Sequence, residues 1–423
     1  KYLEQKILPE ICKILNEHFQ TNHKNRFWKI ILGTWLRNTL QLLLNRINTL
    51  KQCLQLEEIS GTTVYNSNYS ALAIPHLRAG FTYFFDNPKW NNILIGRILT
   101  LINNNKIPIN FIDDNNEVYS YKVLKTYDTN KKHVNKKNIK NYIYEGYKKI
   151  AEKLVRNKDA FLINTYINSK QLAKLEINLG QLPQFWKKIE VNINAKPNQS
   201  LRKRLTKKLL KKSEDDLENV LRNLLFELLP VCHLEGFEEL KKIVNKQPWP
   251  KKPKFIFTSN NFGTDEIFKL YTAIKTENGS KYYVGQHGNN YFTGRYFFPR
   301  VEEQTADKFL TWGWESKLSK YIPMYIFKTS GVKSKYNNKG NLLLVERPQF
   351  IRRVPWDTYN EFTDYFEDQK NFVSELSQDP KKNLLIRLSA SNANINLNEI
   401  SRWLDFDKTL IIDDGKTSLE KLN

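Results

Sequence analysis

Cysteine is scarce: there are only 3 in 423 residues, Cys12, Cys53 and Cys232. They are far apart, odd in number and form no Cys-x-x-Cys pair, so neither a disulfide framework nor a zinc site is signalled and a reducing compartment fits best. Long apolar runs are missing too. The stretch from Ile30 to Leu36 is bounded by Lys29 and Arg37, well under the ~20 residues a bilayer span requires. No signal peptide is legible, although the chain starts at Lys1 rather than methionine and so reads as an excerpt. The absence of GxxxxGK[ST], GxGxxG and GxSxG removes the common ATPase, dinucleotide-binding and nucleophile-elbow readings. Acidic residues fall short of basic ones, 44 against 67, which leaves a formal net charge of +23.

Such a basic surface suits polyanions, whether nucleic acid, anionic membrane or the phosphates of a nucleotide. A lysine coat produced by biased codon usage accounts for the same number. Hydrophobic residues at 40% and aromatics at 13% supply ample core material. At ~150 residues per domain the length suits two or three domains.

The texture of the chain changes along its length. Residues 1–247 read as mainly helical: Leu3, Ile7, Ile11, Ile14 and Leu15 stripe one helix, Trp28 to Leu50 form a second, and the basic region from Lys122 to Lys158 reads as solvated. From Ser200, a plausible cap, a long helix is expected, with Leu201, Leu205, Leu209, Leu217, Leu221, Leu224, Leu225 and Leu228 on one side and cations on the others. Through Arg202, Lys203, Lys207 and Lys208 such a helix either meets an anionic membrane peripherally or simply packs on its own domain. A proline-rich linker, Gln247 to Pro253, then introduces α/β texture over 248–335. Lys254–Ser259 reads as a strand, Asp265–Thr276 as a helix and Tyr282–Gly285 as a second strand, together a βαβ unit. Asp307–Trp314 adds a strand ending at a glycine. After a polar linker, 336–423 begins a second α/β series with strands at Asn341–Val345, Asn383–Arg387 and Thr409–Ile412 and helices at Asp357–Leu376 and Leu397–Leu404, incomplete at its carboxy end. The fold class is therefore α/β: two Rossmann-like domains facing a cleft, with a large helical amino-terminal portion.

In open α/β sheets ligands bind at the carboxyl ends of the strands. Two polar turns occupy such ends, Ser259–Thr264 and Gly285–Asn290. Glycines permit unusual backbone angles and close approach of a ligand, so Gly285, Gln286, His287, Gly288, Asn289, Asn290 and Tyr291 form one candidate site, with Asn260 beside them. A lone loop histidine is equally compatible with an incidental role. Charged groups follow the later strands: Glu346-Arg347, Arg387 and Asp413-Asp414. An arginine there grips phosphate bidentately, and Ser389 adds a hydroxyl; ordinary solvated strand-end charges would look the same. Asp405-Phe406-Asp407 precedes a strand instead of following one, so no metal–nucleotide site is assigned.

The block Gly285 to Tyr291, followed by Ala306 to Trp314 and preceded by Arg26 to Leu36, resembles a family of transferases from bacterial surface-polysaccharide and O-antigen clusters. Leu343–Arg347, Leu385–Leu388 and Thr417–Glu420 match more weakly. The chain departs from that pattern at Thr34 and Asn289, and Leu388-Ser389 follow Arg387 where related transferases carry His-Pro. The resemblance implies a GT-B-like, metal-independent glycosyltransferase without a cofactor, working in the cytoplasm or at the inner face of the membrane. Its donor would be nucleotide-linked and its acceptor a glycan or lipid-linked glycan. His287 would be the general base, since an unperturbed pKa near ~6.5 suits removal of a hydroxyl proton. Glu346, Arg347, Arg387, Ser389, Asp414, Thr417 and Glu420 would hold the donor. The rivals are a nucleic-acid-binding protein, for which dispersed lysines give little support, and a catalytically silent glycan-assembly scaffold.

Overall fold

The computed structural model describes residues 2–56, 58–102, 107–113, 146–147, 150–288, 291, 299–332, 340–346, 362–389 and 398–417. Of the candidate residues, Asn289, Asn290, Arg347 and Glu420 lie outside these, as does most of the basic region from Lys122. The chain divides into two compact units, 1–332 and 333–423.

The first unit is built on a parallel sheet of five strands: β3 (Phe161–Ile163), β4 (Phe255–Thr258), β5 (Lys281–Gly285), β6 (Lys308–Thr311) and β7 (Tyr321–Pro323), hydrogen-bonded side by side in that order. A further parallel pair, β1 (Thr62–Asn66) and β2 (Ile109–Asp113), stands apart. Pro323 donates no ladder hydrogen bond and accordingly sits on the edge strand. Alternation along the strands separates two cores. On one face Phe161 and Tyr282 meet Phe268 and Tyr271 of the helix Glu266–Glu277, and Trp249 closes the cluster. On the other, Leu162 and Phe257 pack with Phe327, flanked by Tyr283 and Leu310. Sequential strand order directs right-handed crossovers to the same face. The helix Glu266–Glu277 lies there and packs in turn on the long helix Asn25–Leu56.

The block from Arg26 to Leu36 is explained by this packing. Arg26 grips Asp307 bidentately at 3.1 and 2.9 Å and also donates to the Thr305 carbonyl. Asp307 accepts the Tyr282 N–H at 2.8 Å, which ties the aminoterminal helix to the starts of β5 and β6. Gly33 lets that helix come close, since a Cβ there would lie 2.6 Å from Val301 Cγ1. Trp28 and Trp35 are fully buried on the same helix.

The expected long helix from Ser200 is two helices, Gln199–Leu209 and Asp216–Leu228, capped by Asn198 and Asp215. Arg202 is fully buried. It donates to Glu235 and to the carbonyls of Phe226, Glu227 and Leu229, which closes the end of the second helix and removes Arg202 from any membrane-facing stripe. Lys208 pairs with Glu17 and Lys203 lies over the Tyr69 ring. Among the described residues no helix is long and apolar enough to cross a membrane.

The second unit holds a three-stranded parallel sheet, β8 (Leu342–Val345), β9 (Leu384–Arg387) and β10 (Ile411–Asp413), with β9 in the centre. Helices Phe362–Ser374 and Glu399–Phe406 cover it, and Val373, Leu384, Ile386, Leu388, Trp403 and Leu410 form its core.

Candidate active site at the carboxyl ends of β3 to β6

Four consecutive strands end in polar turns that hold one another. After β3, Asn164 and Tyr166 adopt left-handed backbone angles, φ 47° and 62°, unusual for residues with a side chain and worst for bulky ones. Asn164 Nδ2 donates to Asn261 Oδ1 at 3.0 Å, and Asn261 Nδ2 to Asp265 Oδ2 at 2.9 Å. Asp265 also caps the helix Glu266–Glu277 by accepting the Phe268 N–H; burial pushes its carboxyl up to about 6. Asn260 donates to the Tyr166 hydroxyl at 2.7 Å, so both side chains remain at the surface.

Gln286 is buried and serves the turn itself. Its Oε1 accepts the Trp312 N–H at 2.9 Å and the Trp314 indole N–H at 2.7 Å, its Nε2 donates to the Gly288 carbonyl at 2.7 Å, and its own carbonyl accepts the Trp312 indole N–H at 3.0 Å. One amide thus joins the turns after β5 and β6, with Gly313 at φ 92° between the two tryptophans. Indole N–H groups are donors only and need an acceptor when buried, which was the available clue. Gly285 also has a packing purpose that its sequence does not reveal. A Cβ there would stand 2.5 Å from Phe327 and 2.7 Å from Ser259 Oγ, so packing beneath the turn by itself calls for a glycine.

Among the described residues, His287 engages one ring nitrogen only. Its Nδ1 lies 3.0 Å from the Tyr291 hydroxyl, which donates to buried Glu302 Oε1 at 2.8 Å. Among the described residues its Nε2 has no hydrogen-bond partner. Phe262, from the turn after β4, packs against the imidazole at 5.6 Å, and Arg300 lies over the Tyr291 ring at 4.5 Å. Burial, then the Arg300 charge, lower the His287 pKa to about 4, so the ring is neutral at pH 7. Burial pushes Tyr291 and Glu302 up. Tyr291, expected to bind substrate, directs its hydroxyl to this pair.

Behind the turns lies a fully buried cluster. Glu266 Oε2 is 3.0 Å from His233 Nε2 and 2.6 Å from Lys269 Nζ, and its Oε1 accepts the Leu77 N–H at 3.1 Å. With Cys232 these make the group closest to a metal site among the described residues, ligand atoms within 4.8 Å of one another. The Lys269 ammonium already supplies the cation that a buried carboxylate requires. Against the penalty of burial, Lys269 and His233 hold Glu266 well below the usual carboxylate range, while burial pushes the Cys232 thiol well up and so keeps it protonated. A protonated thiol is a poor metal ligand, and the cluster reads as a neutralised structural network.

In the second unit the donor candidates gather around one arginine. Arg387 Nη1 donates to Asp413 Oδ1 at 2.9 Å and to the Thr417 carbonyl, and Nη2 donates to the Gly415 carbonyl at 2.9 Å. Asp413 Oδ1 also accepts the Gly415 N–H at 2.9 Å, and Gly415 is left-handed at φ 85°. Arg387 therefore folds the turn 413–417, which is not a helix start over its described residues. Asp414 pairs with Lys416, Ser389 follows the end of β9, and Glu346, buried just past β8, donates its N–H to the Arg387 carbonyl at 2.8 Å.

No curated protein matches this chain, and no solved structure does. A protein-family description, LIC12162 family transferase, matches residues 1–423. With parallel sheets whose carboxyl-end turns carry a neutral histidine, the chain belongs to the LIC12162 family of transferases.

Proposed function

We propose that the chain moves a sugar or polyol-phosphate group from a nucleotide-activated donor to the hydroxyl of a surface-glycan acceptor, with His287 as general base. The observation that carries this reading is the neutral imidazole at the end of β5, with Nδ1 engaged and Nε2 unpartnered among the described residues. In the proposed step the acceptor O–H gives its proton to Nε2 and its oxygen attacks the donor's anomeric carbon or phosphorus. The bond to the nucleotide phosphate breaks, and the nucleotide leaves as an anion. Asn260 and Tyr166 are suited to hold acceptor hydroxyls. A GT-B-like, metal-independent assignment would place the nucleotide on the second unit, near Ser389, Asp414 and Thr417. Work in the cytoplasm at the inner face of a membrane fits a lipid-linked acceptor, with Lys207, exposed, as the contact that remains open.

The test combines binding with chemistry. CMP-, CDP-, UDP- and GDP-linked compounds are screened for a rise in melting temperature, because a ligand that prefers the native state stabilises it. The compound that binds is then assayed for nucleotide release with a glycan acceptor. His287→Ala should keep the melting shift and lose nucleotide release roughly 10²–10⁴-fold. Undiminished turnover would remove the histidine from the reaction, and the absence of a shift with every compound would remove the nucleotide-linked donor.

A further inference from the structure

We infer that Tyr291 and Glu302 are positioning residues for His287: the Glu302 carboxylate orients the Tyr291 hydroxyl, and that hydroxyl holds the imidazole proton on Nδ1 so that Nε2 presents its lone pair. This rests on His287 being the base. The geometry carries it. A tyrosine hydroxyl has one proton to donate, and Tyr291 gives it to Glu302 Oε1 at 2.8 Å. Its oxygen, 3.0 Å from His287 Nδ1, is then an acceptor, and a neutral ring that donates from Nδ1 is a base at Nε2. Free imidazole side chains in water favour the opposite tautomer, with the proton on Nε2, so without the relay most of the ring would be in a form that cannot take a proton there.

The relay also addresses a tension within the site. A histidine lowered to about 4 is neutral but a reluctant base. As Nε2 takes the acceptor proton the ring becomes a cation, and the buried carboxylate two hydrogen bonds away stabilises it. Arg300 lies over the Tyr291 ring and opposes the imidazolium. Glu303 faces the other way, accepting the Arg300 N–H at 2.8 Å and the Tyr321 hydroxyl at 3.1 Å. Among the described residues Glu302 reaches the histidine through Tyr291, and the Tyr321–Glu303 pair beside it is a built-in control.

Nitrogen NMR of the ¹⁵N-labelled full chain reads the tautomer without any substrate. Among 6 histidines, the His287 signals are those absent from His287→Gln. At pH 7 the wild type should show a neutral ring protonated on Nδ1. Tyr291→Phe, which removes one oxygen, should move the proton to Nε2. Glu302→Leu should do the same by releasing the tyrosine proton toward Nδ1, whereas Glu302→Gln, still an acceptor, should restore the Nδ1 form. Tyr321→Phe should change nothing. With a turning-over donor, Tyr291→Phe should lower kcat roughly tenfold or more and leave KM within about twofold, the signature of an interaction made in the transition state. A wild-type proton on Nε2, or one tautomer in all variants, would overturn the relay. The wild-type tautomer together with full turnover in His287→Ala would sink the base reading, and the relay's catalytic purpose with it.

Discussion

Two turns at strand ends, one in each unit, were drawn by the sequence as candidate sites: a histidine between glycines after β5, and charged residues after the strands of the second unit. The turn after β5 assigns its tasks to different side chains. Gln286 locks the backbone to the turn after β6, and His287 keeps a ring nitrogen in reserve. In the second unit the chemically attractive residue is itself the lock, because Arg387 closes the turn 413–417 through Asp413 and two carbonyls. Residue type does not separate a reagent from a brace. Hydrogen-bonding capacity left over after the fold has been satisfied does.

The sharpest way to break this contrast is a matched pair of substitutions. His287→Ala should cost activity roughly 10²–10⁴-fold, with a melting temperature close to wild type. Arg387→Ala should behave in the opposite sense and destabilise its unit by about 1–3 kcal/mol, because it strands the Asp413 carboxylate and two carbonyls. Calorimetry and a turnover assay on both variants decide it. If Arg387→Ala leaves stability intact and weakens donor binding, the arginine is a phosphate ligand after all and the contrast collapses.

Gln286→Ala comes next. It removes the acceptor that the half-buried Trp314 indole N–H and the Trp312 backbone N–H share, so a loss of about 1–3 kcal/mol is expected in denaturant unfolding. Gly285→Ala should cost about 1–3 kcal/mol too, by forcing a methyl against Phe327 and Ser259. Phe327→Leu, by removing the ring edge that the methyl meets, should recover part of that loss. No recovery would mean that backbone freedom, and not packing, is what Gly285 provides.

The legible part of the molecule was the part written in local pattern. The strands at Phe255–Thr258, Lys281–Gly285, Lys308–Thr311, Leu342–Val345 and Leu384–Arg387 are short apolar runs ended by polar or glycine residues, and they lie within a residue or two of their expected places. β3 was missed because Phe161–Ile163 is three residues long and its register partners, Ile256 to Thr258, lie far along the chain, so only tertiary pairing reveals it. The same applies to β1 and β2. The long basic helix failed at residues 210–215, where the leucine period continues across a break that Asp215 caps. At the site, spacing led to His287 but not to Tyr291–Glu302 or to the tryptophans on Gln286. Those are side-chain bonds between separate turns, and periodicity carries no trace of them. The buried Cys232–His233–Glu266–Lys269 network was hidden for the same reason.

The smallest effect separates the two units by pH. All 6 histidines precede residue 333, so the second unit titrates near neutrality without any. His287 has a folded-state pKa of about 4 against 6.5 when unperturbed, with burial as the main cause. Between those values the unfolded chain binds a proton that the folded one refuses, so this group's contribution to the stability of the first unit should fall as pH drops from 6.5 toward 4 and stop changing below that. His18 and His233 are lowered by burial as well and act in the same direction. In the second unit the same sense of change comes at lower pH: Asp414 is held below its ordinary 3.8 by Lys416, so its contribution is intact above that value and lost only below it. Buried carboxyls of the first unit that are raised, Asp265 to about 6 and Glu176 and Glu227 to about 7, work in the opposite sense, so the difference is what reports on His287: between pH 6.5 and 4, His287→Gln, which cannot titrate, should lose less stability than wild type. Equal slopes for wild type and variant between pH 6.5 and 4 would mean that His287 is solvated and ordinary, and the distinction between a turn that keeps a neutral base in reserve and one that uses up its charge would lose its physical basis.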